Sequence, residues 1–124
     1  MTRFVLSIAV ALSLVSAVAA CGSDEKDRTA EGAAKAHEAA SDLDGDAKQG
    51  KKVWTTAGCG ACHTLSASQS TGTSAPNLDE VRPSATLVVD RVALGFLAMP
   101  TYQGLLTPQQ IADVAAYVSD ATQR

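Results

Sequence analysis

Apolar positions divide the chain into three stretches that follow different rules. From Phe4 to Ala20 apolar and small residues run unbroken, and from Gly22 to Asp46 large apolar side chains almost vanish. Beyond Asp46 they return at helical spacing. Ala47, Gly50 and Trp54 stand three and four apart, which predicts a helix capped by Asp46 and running through Val53 and Trp54 towards the first cysteines. Leu87, Val88, Val92 and Leu94 supply a second helix, with Ser84 as its cap and Gly95 placed to end it. Ile111, Val114, Ala115 and Val118 recur at i, i+3, i+4 and i+7 behind Thr107-Pro108-Gln109-Gln110, a capping box with proline at the first helical position. No stretch alternates as a strand does, so the expected class is all-α with three or more helices.

Two segments carry no helical period. Thr64 to Ala75 is rich in Ser, Thr and Gly and ends in Pro76-Asn77-Leu78, so it reads as a loop that wraps something. Phe96 to Leu106 is a second loop, holding Met99-Pro100 and Tyr102. Gly50 is the odd residue of its helix: glycine there costs about 1 kcal/mol relative to alanine, so a close approach by another helix is its expected reason.

Charge sharpens the boundaries. Acids exceed bases by five between Cys21 and Asp46, whereas six bases face five acids beyond it. An acidic segment without large apolar residues cannot bury enough surface to order itself, so residues 21–45 read as a flexible tether. Its alanine-rich part, Ala30 to Ala40, is marginal as an isolated helix, and His37 within it is expected to be solvated. With a net charge of −3 over 124 residues and few aromatics, nucleic acid is not an expected partner. Residues 46–124 then form the one compact domain.

The first stretch begins Met1-Thr2-Arg3 and ends Val18-Ala19-Ala20-Cys21. A short positive flank, an apolar run and small residues before a break make residues 1–20 an export signal. The terminal Val-Ala-Ala-Cys resembles a bacterial lipobox, which implies lipid attachment at Cys21 and a domain held on the extracytoplasmic or periplasmic side of a membrane. An uncleaved membrane span is the alternative, because about 17 to 25 apolar residues suffice to cross a bilayer.

The chemistry is concentrated in Cys59-Gly60-Ala61-Cys62-His63. A Cys-x-x-Cys-His run is the signature of covalent haem attachment, since two thiols at this spacing each meet one porphyrin vinyl group and the adjacent imidazole is carried to the iron. A redox dithiol wants a βαβ context, which is missing, and a zinc site wants four ligands, for which only Cys21 and His37 remain. Met99 is the one methionine besides Met1. It lies in a loop instead of on an apolar helix face, where a gap-filling methionine belongs, and Met/His ligation is an established haem arrangement; Met99 is therefore the candidate sixth ligand.

Taken in order, these features resemble the class I c-type cytochromes from Asp46 to Arg124. Gly50 and Trp54 resemble the glycine and aromatic of that family's first helix, Ile111 to Val118 its terminal helix, and Met99-Pro100 its axial methionine segment. The resemblance implies a class I cytochrome c fold around one covalently attached haem c, with the first and last helices crossing so that Val114 and Tyr117 meet Gly50 and Trp54. It also implies that the Pro76 carbonyl accepts a hydrogen bond from His63. The function implied is one-electron transfer without enzymatic chemistry. The implied partners are a quinol-oxidising cytochrome complex as donor and a terminal oxidase or reductase as acceptor. A fixed haem subunit of a larger oxidoreductase, and a haem enzyme or gas sensor with an open sixth site, are the competing readings.

Overall fold

The computed structural model describes residues 30–124; the export signal and Cys21 lie outside the described residues. Five helices follow in order: α1 (Ala30–Ser41), α2 (Ala47–Thr56), the one-turn α3 (Leu78–Val81), α4 (Ala85–Leu94) and α5 (Pro108–Thr122). Helix α2 begins where the Asp46 carboxylate accepts from the backbone N–H groups of Lys48 and Gln49. Helix α4 begins with Leu87 N–H on Ser84 Oγ and ends at Gly95 with φ 75°. In α5 the Thr107 hydroxyl accepts from Gln110 N–H while the Gln110 side chain accepts from Thr107 N–H. Each cap satisfies backbone donors that a helix start leaves without partners, which is why these boundaries fall where the sequence puts them.

The core forms where α2 and α4 pack on α5, around Ile111, Val114 and Val118. At the α2/α5 crossing a Cβ on Gly50 would lie under 3.0 Å from the Asp113 carbonyl oxygen and 2.7 Å from the Tyr117 Cβ. The absent side chain is what lets the two backbones meet. Asp113, only 5% exposed, fastens the same junction: its Oδ1 accepts from Asp46 N–H at 2.8 Å and from Gln109 Nε2 at 2.8 Å. A buried carboxylate is tolerated when hydrogen bonds replace its water.

Two expectations are corrected. Residues 30–41 are not free tether: α1 packs against α4 and α5, with Ala33 and Ala40 buried. The alanine content that makes the helix marginal alone also gives it a face small enough to lie flat on its neighbours. His37 is accordingly half-buried and donates from Nε2 to Asp90 Oδ1 at 2.6 Å. The second correction concerns strands, since Thr64–Leu65 (β1) and Ser70–Thr71 (β2) pair antiparallel, Thr64 opposite Thr71 and Leu65 opposite Ser70. Strands of two residues are too short for any alternation to register. No helix among the described residues is long and apolar enough to cross a membrane.

The crossing makes a direct prediction. Gly50→Ala should destabilise the protein by about 2 kcal/mol or more, because the added methyl meets backbone that cannot retreat. Gly58→Ala, at φ 73° with open space around it, should cost only about 1 kcal/mol. Equal losses in denaturant titrations of the two variants would contradict the crossing.

Candidate functional site

The site is built where α2 runs out. Gly58, left-handed at φ 73°, turns the chain into a single 3-10 turn, Cys59–Ala61. Backbone bonds from Cys62 and His63 to the Cys59 carbonyl, at 3.2 and 3.0 Å, then hold both cysteines and the histidine in one compact turn. The two thiols are free. Cys59 leans on the core, where burial pushes its thiol pKa up, while Cys62 is exposed.

His63 is oriented from a distant part of the sequence. Its Nδ1 lies 2.8 Å from the Pro76 carbonyl oxygen. A carbonyl only accepts, so Nδ1 carries a proton and donates it to Pro76. A ring fixed in this way suits a metal-ligating imidazole, whose other nitrogen ordinarily donates to such a partner. Trp54 stands beside the ring, with centroids 6.4 Å apart.

The loop between His63 and Pro76 has no aromatic residue, and polar side chains fasten it instead. Trp54 Nε1–H donates to Ser70 Oγ at 3.1 Å, and the Ser68 and Tyr117 hydroxyls bond to each other. Ser66 donates from both backbone and hydroxyl to Asp79 Oδ2, and Ala75 N–H returns to the Cys62 carbonyl at 3.0 Å. A Cβ on Gly72 would lie 2.6 Å from the Cys62 carbonyl carbon, so the loop presses directly on the motif.

Met99 comes from the other loop. Phe96 and Met99 exchange backbone hydrogen bonds of 3.0 and 2.9 Å, closing a tight turn. Thr101 Oγ1 bonds to the Ala93 carbonyl at 2.6 Å, and Tyr102 N–H to that of Val92 at 2.9 Å. These bonds hang the methionine loop from the end of α4, with Met99 half-buried against the same core that Cys59 touches. Burial, then the charges of Cys59 and Cys62, push the Tyr102 phenol pKa up, so this loop lies within electrostatic reach of the motif.

His63 and Pro76 are thus in direct contact, and Met99 and Cys59 share one core. His37 belongs to the α1/α4 contact, away from this group. Among the described residues no three His, Cys, Asp or Glu side chains gather as a zinc site would need. Two unpaired thiols, an imidazole with Nε2 available and a thioether on a second loop form the donor set of a covalently held, axially ligated haem. The residues therefore fit that group. Asp79, Ser68, Ser70 and Tyr102 escape a reading of the sequence because nothing local separates them from ordinary loop residues. Tyr117 does have a signal, standing four residues after Asp113 on the face that meets Gly50.

Known proteins share these features. Residues 45–118 match the family described as "Cytochrome C oxidase, cbb3-type, subunit III". The chain is similar to a cytochrome c6 of Nostoc sp., 38% identical over 80 residues that make up 61% of this chain and 71% of the relative. It is also similar to a cytochrome c6 of Gloeothece citriformis, 34% identical over 84 residues, 64% and 76% of the two chains. Its fold is similar to that of the c-type cytochrome SorU from Sinorhizobium meliloti, with a TM-score of 0.59, 33% identity and coverage of 63% of this chain and 92% of that one.

A stability test isolates the loop attachment. Ser70→Ala leaves the Trp54 indole N–H without its acceptor and should cost about 1 kcal/mol. The fluorescence of this single tryptophan during denaturation reads the loss, and a midpoint unchanged from the parent would show that the loop is held without Ser70.

Proposed function

The chain belongs to the family described as cytochrome c oxidase, cbb3-type, subunit III, a class I c-type cytochrome with one covalently bound haem c, and on that premise we propose that it is a membrane-tethered one-electron carrier. The Cys59 and Cys62 thiols would hold the haem covalently, and His63 Nε2 and Met99 Sδ would be the protein's ligands to its iron. The 2.8 Å contact of His63 Nδ1 with the Pro76 carbonyl carries the reading, because it fixes the ring through one nitrogen and leaves Nε2 as the one that could bind iron. The haem supplies the exchange between ferric and ferrous iron.

The protein's residues set how that couple behaves. A thioether opposite an imidazole raises the potential relative to a second nitrogen ligand, and the hydrogen bond to Pro76 adds electron density to the His63 ring. With His63 and Met99 both on the iron, no coordination site would remain for a substrate, which favours a carrier over an enzyme or gas sensor. The proposed location is extracytoplasmic, with residues 1–20 as export signal and Cys21 as the lipid-bearing residue. The proposed partners are a quinol-oxidising cytochrome complex and a terminal oxidase or reductase. The family's description names an oxidase subunit, and this supports a second reading as a haem subunit fixed within a larger complex. Release of the protein from membranes as a separate species by mild detergent favours the carrier, and co-migration with an oxidase favours the subunit.

Ligation is tested by the optical spectrum of the oxidised protein. Met99→Ala should keep the covalent haem, abolish the weak far-red band of methionine-to-iron ligation, admit carbon monoxide to the reduced iron and lower the potential. An unchanged spectrum would assign the distal position to another residue. Replacing Cys59 and Cys62 together should remove covalent haem and leave a largely unfolded chain.

The anchor has its own test. Cys21→Ser should move the protein from the membrane fraction to the soluble one. Retention in the membrane with the N-terminus uncleaved would replace the lipid anchor with a membrane span.

A further inference from the structure

The two ends of the loop that follows the cysteine motif are joined twice at the same offset. His63 Nδ1 bonds to the Pro76 carbonyl at 2.8 Å. Three residues further along each segment, Ser66 donates to Asp79 Oδ2 from its backbone N–H at 2.8 Å and from its hydroxyl at 2.9 Å. Both joins span 13 positions, so residues 63–66 and 76–79 run side by side in the same direction, closed at both ends. Between the ends Leu65 is fully buried and Leu78 packs on the core, which anchors each segment within its length.

Asp79 does more than an acid in the first turn of a helix needs to do. The cap of α3 is Asn77, whose Oδ1 already accepts the Asp79 backbone N–H at 3.0 Å. A carboxylate at that position is favoured by the helix dipole alone, yet this one reaches out of α3 to Ser66. One of its oxygens collects both donors, and hydrogen bonds to an ionised acceptor are the stronger kind. A single bond such as that from His63 to Pro76 leaves the carbonyl free to swing about the contact. A second join three residues on removes that freedom, as a supporting contact does for a site that has to hold its geometry.

We infer that Asp79 is a positioning residue for His63: by clamping Ser66 it holds the Pro76 carbonyl on Nδ1, and so sets how strongly the imidazole donates to iron. The inference rests on the reading of His63 as a haem ligand. Donation through the Pro76 bond raises the basicity of the ring, and a more basic ligand favours ferric iron over ferrous. Loosening the clamp therefore shifts the couple towards ferrous.

The test uses the full-length holoprotein, with covalent haem confirmed by the spectrum of its denatured pyridine complex. Asp79→Ala should shift the equilibrium about threefold towards ferrous, a rise in potential of about 30 mV at 59 mV per tenfold. Exchange of the His63 Nδ1 proton with solvent, followed by NMR of the reduced protein, should quicken about tenfold. Loss of a negative charge by itself also raises a potential, and Asp79→Asn separates the two causes. Its amide oxygen accepts both Ser66 donors, so it should restore potential and exchange rate to near those of the parent. Ser66→Ala, which keeps the N–H and loses the hydroxyl, should move both readouts less than Asp79→Ala, and it carries the test should Asp79→Ala fail to fold. Ser84→Ala, which removes the cap of α4, should lower the denaturation midpoint and move neither readout. A rise for Asp79→Asn equal to that for Asp79→Ala would assign the effect to charge and overturn the clamp. Exchange rates within twofold of the parent for Asp79→Ala and Ser66→Ala would overturn it as well, while leaving haem attachment intact. A parent protein that carries no covalent haem would remove the ligand reading, and the role of Asp79 with it.

Discussion

The contact between Gly50 and the Asp113 backbone is the constraint from which the rest of the site follows. Only because α2 and α5 touch there do Trp54 and Tyr117 come together, one turn further along each helix, with ring centroids 6.3 Å apart. Trp54 then holds Ser70 and Tyr117 holds Ser68, so the crossing fixes the loop that runs from His63 to Pro76. That loop in turn delivers the Pro76 carbonyl to His63. A methyl group at residue 50 would therefore act on the imidazole through four successive contacts, although it touches none of the chemistry.

The same chain of contacts accounts for a small domain with little aromatic content. A short chain buries a modest share of its surface, and here the buried apolar side chains are mostly Val and Ala from four helices, with Leu65 from β1. Under the proposed attachment to Cys59 and Cys62, the haem would add apolar surface where the protein has few large side chains to offer. Fold and cofactor would then support each other: polar tethers such as Ser66 to Asp79 position the loop, and the porphyrin would give it a surface to close on.

The sequence displays what local chemistry decides. Asp46, Ser84 and Thr107 announce helix starts because a cap is a contact within three residues, and Cys59, Cys62 and His63 announce the site because their spacing is itself the chemistry. Gly50 announces a close approach because glycine within a helix has a cost. What long-range packing decides is hidden. Asp113 looks like a surface acid until α2 brings the Asp46 N–H to it, and the bond from His63 to the Pro76 carbonyl, 13 residues away, is legible only through the family resemblance. Helix α1 is hidden for a different reason: its sequence satisfies the composition of a disordered tether, and only the surface offered by α4 and α5 makes Ala33 and Ala40 worth burying.

That docked helix changes what the proposed anchor can do. A free segment from Cys21 to Asp46 would have an r.m.s. span of about 25 to 30 Å, long enough for the domain to reach between partners by chain motion alone. With α1 held by its alanine face and by His37 on Asp90, the distance from a lipid-bearing Cys21 to Ala30 could not exceed about 30 Å, the fully extended length of the residues between them. The matched family region begins at residue 45, so α1 precedes it in the chain. Under the lipid-anchor proposal it draws the domain towards the bilayer and raises its effective concentration there. Movement between a donor and an acceptor would then depend on diffusion of the anchor in the membrane more than on the reach of the chain.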